Sequence, residues 1–219
     1  MYGVGEAAAL LGLRRDRVQS WLDGYTRKGV SYEPVIRERP GGGELVTWGE
    51  FVELGYLREY RRAGVSLQHL RPVIQRLRDE FGTPYPLAHA RPYVADRQLV
   101  LAVQEALDVP NALAIVVRTG QTFGLTEPVG RFLRKVEFAQ PDHGPVVRLR
   151  PAGHTSPVVM DPLVGFGRPN VAGIATERLW ELHDAGEAVV DIAAAYEIED
   201  GLVDQAIAYE EQQRSLTAA

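Results

Sequence analysis

Five residues within the seven positions 14–20 can all donate hydrogen bonds: Arg14, Arg15, Arg17, Gln19 and Ser20. Arginine forks match phosphate oxygens and guanine edges, and the amide and hydroxyl add shorter donors. Val18 and Leu22, spaced i, i+4, together with Trp21 give the same stretch an apolar face to bury. Asp16 is the discordant residue; a carboxylate there can stabilise a helix N-terminus or accept from a cytosine amino group. Arg37 and Arg39 lie near enough in sequence to reach neighbouring phosphates, and Tyr32 or Arg27-Lys28 can add backbone contacts. The chemistry these types offer is recognition of an anionic polymer. A second group, Glu199, Asp200, Val203, Asp204 and Ile207, has the same apolar spacing with the opposite charge. Those residues are expected to contact a protein or to support oligomerisation, since carboxylates repel phosphates.

Residues for bond-making are sparse. The five histidines, His69, His89, His143, His154 and His183, are scattered with no i, i+4 pair, and there is no cysteine. Thiol catalysis, disulfides and cysteine zinc sites are therefore excluded. Gly165-Phe166-Gly167 lacks the third glycine and the preceding strand of a dinucleotide loop. No active site, metal site or cofactor is expected. Of 219 residues, 45% are hydrophobic, which is enough for a buried core. No apolar run approaches the ~18 residues that span a bilayer, and no leader pattern precedes Tyr2, so a cytoplasmic protein is expected.

Charge is divided unevenly. Residues 1–92 hold 14 Lys and Arg against 11 Asp and Glu, a net of +3. Residues 93–150 hold 7 against 6, and residues 151–219 hold 3 against 12, a net of −9. A mildly basic front and a strongly acidic tail suggest separate partners.

The elements that must position these groups follow from local pattern. Glu6–Leu11 reads as a helix, Gly12 suits the turn, and Arg14–Leu22 reads as the second helix of a helix-turn-helix. Pro34–Thr47, two β-like runs around Gly41-Gly42-Gly43, is expected to form a hairpin, and hence a wing. Thr47 and Glu50 have the spacing of a capping box, opening a helix that ends at Ala63-Gly64. Ser66 caps another helix, with Leu67, Leu70, Ile74 and Leu77 inward, ending near Phe81-Gly82 before Pro84 and Pro86. Short β-rich runs at 99–103, 113–117, 129–138 and 146–150 predict a small antiparallel sheet. After the Gly- and Pro-rich stretch 161–173, helices begin at Thr176, and Val190–Ile207 has the frame of a second helix-turn-helix. A shift of 185 residues places Ala8-Ala9 on Ala193-Ala194, Leu13 on Ile198, Val18 on Val203 and Leu22 on Ile207. The fold class expected is α+β. Three domains are drawn: a winged helix-turn-helix at 1–90, a β-rich segment at 91–157 and an acidic helical domain at 158–219. Scaffold, dimer interface and sensor all remain open as roles for the middle segment.

Residues 2–87 resemble a MerR-type winged helix-turn-helix. The resemblance rests on Val4-Gly-Glu-Ala-Ala-Ala-Leu-Leu-Gly-Leu13, Trp21, Phe51-Val-Glu-Leu54 and Arg58-Glu-Tyr-Arg-Arg-Ala-Gly-Val-Ser-Leu-Gln-His-Leu-Arg71. It implies a DNA-binding regulator, with Arg61 and Arg62 near a second wing. The missing coiled coil and cysteines separate the chain from the metal-sensing members. The tail resembles a small helical domain-of-unknown-function family read as VapB-like antitoxins. That match is carried by Val159-Met-Asp161-Pro162, Gly165-Phe-Gly167-Arg168-Pro169, Val171-Ala-Gly173, Ala185-Gly-Glu187, Ile192-Ala-Ala-Ala-Tyr196, Val203 and Ala206-Ile-Ala-Tyr-Glu210. It departs at Ile174-Ala175, where many members carry Thr-Arg. Together the two resemblances imply a homodimeric antitoxin that neutralises a PIN-domain ribonuclease toxin and represses its own operon at an operator. The toxin contact would then fall on the acidic group at 199–207. The other reading is a ligand-responsive MerR-like transcriptional regulator with the middle segment as sensor.

Overall fold

The computed structural model describes residues 1–41, 43–89, 117–119, 122–124, 127–140 and 144–218. The chain divides into two compact units: residues 2–133 with 138–146, and residues 134–137 with 147–219 and Met1. It mixes helices with two-stranded antiparallel sheets, the α+β class expected.

In the first unit, β1 (Tyr2–Gly3) pairs with β4 (Leu45–Val46) and leads straight into α1 (Val4–Leu10). α2 (Arg15–Asp23) follows a tight turn, and β2 (Tyr25–Arg27) and β3 (Val30–Tyr32) form a hairpin. The centre is α3 (Trp48–Arg62), which buries residues on every side: Phe51, Val52, Leu54, Tyr56, Leu57 and Tyr60 are all at most 1% exposed. The helix is buried although it carries Glu50, Glu53, Arg58 and Glu59, because those charged groups find partners inside the unit. Its start is the capping box read from sequence: the Thr47 hydroxyl accepts from Glu50 N, and Thr47 N donates to the Glu50 carboxylate at 2.7 Å. It stops at Ala63, where Gly64 takes φ 91°. α4 (Leu67–Phe81) then buries Leu70, Val73, Ile74 and Leu77 and ends at Gly82, as its spacing predicts. A 3-10 turn, Pro86–Ala88, follows.

The remaining described elements are β5 (Val117–Thr119) paired with β6 (Thr122–Gly124), α5 (Glu127–Leu133), and β7 (Val136–Phe138) paired with β8 (Val146–Leu149). α5 corrects the strand expected over 129–138: only its last part is extended. Phe132 decides this, because its ring packs edge-on to Tyr56, 4.7 Å away, in the space left open by Gly55. A Cβ at Gly55 would overlap that ring, so α3 and α5 approach through the missing side chain. The expected strand over 146–150 is present as β8. The runs at 99–103 and 113–116 lie outside the described residues.

The wing expected over Pro34–Thr47 is also corrected. Pro34, Val35 and Ile36 are buried rather than extended into solvent. Val35 N and Ile36 N both donate to Trp21 O, and the Arg78 guanidinium donates to Val35 O and Ile36 O. Pro34–Ile36 thus form an internal strut between α2 and α4, and Glu38–Gly41 are exposed. The second β-like run, Leu45–Val46, pairs with the chain's own start.

The second unit begins with short strands joined by bridges from Leu149 to Met160 and from Val159 to Asn170. β9 (Asn170–Val171) and β10 (Ile174–Ala175) form a hairpin, followed by α6 (Thr176–Asp184), α7 (Val189–Tyr196) and α8 (Asp200–Ala218). Thr176 is the first helical residue, not the cap; Ala175 holds the cap position. The buried Thr176 hydroxyl instead lies 3.3 Å from Pro169 O and donates to Glu210 Oε1 at 2.5 Å, tying α6 to α8. Val158, Val171, Leu179, Ile192, Val203 and Ile207 form the core. No helix among the described residues is long and apolar enough to cross a membrane.

One core group carries a cost. Glu53 is fully buried in the first unit, where burial pushes its carboxyl pKa up to about 8 despite Leu87 N donating to it and Arg78 lying 3.9 Å away. The folded protein therefore holds a proton that the unfolded chain releases near pH 4.3, so stability falls as pH rises between those values. In Glu53→Gln that fall, about 1 kcal/mol per pH unit for a single proton, should vanish from urea-unfolding series run between pH 5 and 8.

Candidate nucleic-acid interface

α1 and α2 meet in a turn whose hydrogen bonds are fixed by glycine. Gly12 sits at φ 58°, Gly12 N donates to Ala9 O at 3.0 Å, and Leu13 N donates to Ala8 O at 2.8 Å. This paired closure at a left-handed residue ends α1 and sets the angle at which α2 leaves. Val18 and Leu22 are 0% exposed and Trp21 is 3% exposed. The apolar face read from sequence is thus inward, and Arg14, Arg15, Arg17 and Asp16 stand in solvent.

Four of the five donors, Arg14, Arg15, Gln19 and Ser20, already have local company. Arg14 forms a two-pronged pair with Asp16, at 3.0 and 2.9 Å, and its guanidinium holds the Asp16 carboxyl below the usual range. Asp16 also accepts from Arg17 N at 2.9 Å, so the discordant acid stabilises the first turn of α2 and aims Arg14. Arg15 reaches Glu44 at 3.1 Å. Gln19 donates to Asp23, and the Ser20 hydroxyl donates to Arg17 O at 2.8 Å. Exposed ion pairs of this kind are weak and exchange readily for phosphate.

Beside α2 lies a concavity of about 700 Å³ that no local sequence pattern announces. Arg17, Arg27, Arg58, Arg61 and Arg62 line it, with Ser20 and Tyr25. Arg27 comes from the β2–β3 hairpin, upstream of the stretch expected to form a wing. The hairpin's register pairs Arg27 with Val30 across Lys28-Gly29, at φ 51° and 76°, the two-residue turn whose twist suits a hairpin. Tyr25 and Tyr32 stack across it at 4.6 Å, stiffening two strands too short to hold themselves. Arg71 donates to Glu33 O at 2.9 Å at its base. Tyr25-Thr-Arg-Lys-Gly-Val-Ser-Tyr32 does carry a signal, an X-Gly pair between matched tyrosines, but the glycine triplet downstream is the louder one. Arg58 is a residue the sequence pattern did not single out as part of a site. Its guanidinium donates to Leu11 O at 2.8 Å and pairs with Glu59, bracing the α1–α2 turn against α3. Arg61 donates to Val65 O across the α3–α4 turn.

Two expected phosphate ligands part company here. Arg39 is exposed. Arg37 is not available to a phosphate, because its side chain is 13% exposed and fully engaged. It donates to Asp23 Oδ1 at 2.8 Å, Glu50 Oε1 at 2.8 Å and Leu45 O at 2.7 Å. Glu50, with Asp23, raises its pKa above the usual arginine value. For Asp23, burial alone would raise the pKa, yet Gly41 N and Arg37 outweigh it and the net shift is downward. Three acceptors from α2, β4 and α3 are matched by one planar fork.

In the second unit the residues expected to meet a partner divide. Glu199, Asp200 and Asp204 are exposed, whereas Val203 (0%) and Ile207 (7%) lie in the unit's own core and serve its folding. The 185-residue shift read from sequence is also a backbone correspondence. Glu197 takes φ 55° where Gly12 takes 58°, Glu197 N donates to Ala194 O, and Ile198 N donates to Ala193 O at 3.0 Å. α7 and α8 start 185 residues after α1 and α2. The frame is the same, with Glu199, Asp200 and Asp204 where Arg14, Arg15 and Gln19 stand.

No protein-family model matches the chain. Two proteins of Mycobacterium tuberculosis do. The one named "Uncharacterized protein Rv2308" is 33% identical over 223 residues, covering 98% of this chain and 91% of its own. The one named "Putative antitoxin VapB45" is 30% identical over 184 residues, covering 77% of this chain and 75% of its own. Among solved structures, the X-ray crystal structure of Rv2018 from Mycobacterium tuberculosis is similar in fold, with a TM-score of 0.71 at 22% identity, over 94% of this chain and 96% of that one.

Replacing Arg37 with alanine strands two largely buried carboxylates, and should cost about 3 kcal/mol in urea unfolding. Arg37→Lys should recover only part of that, because an ammonium cannot serve three acceptors in one plane. Equal stability of both variants with the parent would show the fork to be dispensable.

Proposed function

The chain belongs to the antitoxin-like family of Rv2308 and VapB45, and from that premise we propose that it is the antitoxin of a type II toxin–antitoxin pair. In this reading it binds and neutralises a PIN-domain ribonuclease and represses its own operon as a cytoplasmic homodimer. The observation that carries the DNA-binding half is the clustering of Arg17 on α2, Arg27 on the wing and Arg61 and Arg62 on α3 around one concavity. Their lengths and forks suit phosphates on either side of a groove, while Arg15 and Gln19 on the solvent face of α2 suit base edges. A homodimer would set two α2 helices about 34–36 Å apart, one turn of duplex, on a palindromic operator.

The acidic tail is assigned to the toxin. Residues 151–219 carry 12 acidic against 3 basic side chains, a charge suited to the basic surface of a ribonuclease and unsuited to DNA.

Mobility shifts on the operon's own promoter test the first half. Arg15→Ala and Arg17→Ala should each weaken binding about tenfold or more. The double variant Arg27→Ala/Lys28→Ala should lower the slope of log affinity against log salt by about two, one for each phosphate no longer neutralised. Unchanged affinity and slope in all of these would remove the assignment. For the second half, co-expression with the adjacent ribonuclease should yield a complex that a chain ending at residue 157 no longer forms.

A further inference from the structure

The loop Asp161–Gly167 in the acidic unit presents apolar side chains where a solvated loop would carry polar ones. Leu163 is 93% exposed, Phe166 is 80% exposed, and Val164 between them is 36% exposed. Phe166 sits at φ 59°, ψ 24°, a left-handed conformation that glycine adopts freely and a residue with a Cβ does not. The loop is nevertheless held firmly. The Asp161 carboxylate accepts from Leu163 N at 2.9 Å and is itself gripped by Arg148 at 2.9 Å. Val164 N donates to Asp161 O, Gly167 N to Val164 O and Arg168 N to Gly165 O, at 2.9, 3.0 and 3.2 Å.

Isolated exposed hydrophobics are ordinary. Two large ones within four residues, ordered in advance by a hydrogen-bonded loop that tolerates backbone strain to present them, have the character of a binding anchor. Charge selects what could receive them. The unit, residues 134–137 and 147–219, holds 13 acidic against 7 basic side chains, an excess that opposes an anionic lipid surface and opposes the same unit of a second copy. A basic protein surface with an apolar pocket satisfies both requirements.

We propose that Leu163 and Phe166 form an anchor that inserts into an apolar pocket on a basic partner protein, with the unit's exposed carboxylates pairing with that protein's cations. This rests on the antitoxin reading, under which the partner is the ribonuclease toxin. Function would then reside in the loop, and the exposed carboxylates of α8 would supply attraction and orientation, the usual division between buried anchors and rim charges.

The test uses the full-length chain and the ribonuclease encoded beside it, purified separately and mixed in a calorimeter. Leu163→Asp and Phe166→Asp should each weaken binding at least about thirtyfold. Phe166→Gly should weaken binding at least about tenfold while raising the chain's melting midpoint by about 2 °C, because it removes the anchor and the strain together. Those opposite signs are what a merely structural phenylalanine would not give. Wild-type affinity in both Phe166 variants, or a lower midpoint in Phe166→Gly, would overturn the anchor. So would variants that keep toxin affinity but lose self-association in sedimentation, which would make the loop an interface between copies. If the parent chain itself fails to bind the ribonuclease, the antitoxin reading falls and the anchor falls with it.

Discussion

The first unit depends on one guanidinium. Arg37 joins Asp23 at the end of α2, Leu45 in β4 and Glu50 in the first turn of α3. Glu50 is simultaneously the far half of the capping box that starts α3. The group that begins the central helix therefore also fixes the direction of the helix that carries Arg14, Arg15, Arg17 and Gln19. An apolar contact could bring α2 and α3 together, but it would leave rotation about the contact cheap. A planar fork satisfied on three sides does not.

Around that fork the β2–β3 hairpin and the concavity are consequences of where the chain can turn. Gly24 leaves α2 at φ 77°, and a Cβ there would overlap Tyr32 O, so the hairpin folds back tightly only because the position is glycine. Arg27 is thereby returned to the side of Arg17. The strut Val35–Ile36, hydrogen-bonded to Trp21 O and gripped by Arg78, then closes the core beneath. The second unit reuses the α1–α2 frame in α7–α8 with its surface charge inverted. The same backbone bonds close both turns, Gly12 in one and Glu197 in the other, which separates the frame from the function its surface performs.

Patterns confined to neighbouring residues were legible. The capping box at Thr47–Glu50, the inward faces of α2 and α4, the breaks at Gly64 and Gly82 and the matched frames 185 residues apart all rest on i, i+3 or i, i+4 chemistry or on glycine's freedom. The exposure of Glu199, Asp200 and Asp204 could be read the same way. What misled was the stretch Pro34–Thr47, where β-like residues and three glycines describe a hairpin in isolation. Its partners, Trp21 O, Arg78 and the strand at Tyr2–Gly3, are distant in sequence; they draw Pro34–Ile36 and Val46 into the interior and leave Glu38–Gly41 in solvent. Phe132 was drawn into a strand for the same reason, since nothing near it announces Gly55.

The sequence by itself therefore determined α2, α3 and α4, the start of α3 and the stops at Gly64 and Gly82, the charge division between front and tail, and the α+β class. These follow from propensity, capping and periodicity, which act within a turn or two of chain. Tertiary structure alone decided which arginines stand in solvent and which are girders. Arg37 and Arg39 are two residues apart and chemically identical, yet one is enclosed by three acceptors and the other stands in solvent. Only the long-range packing that brings Asp23, Leu45 and Glu50 to one point makes that distinction.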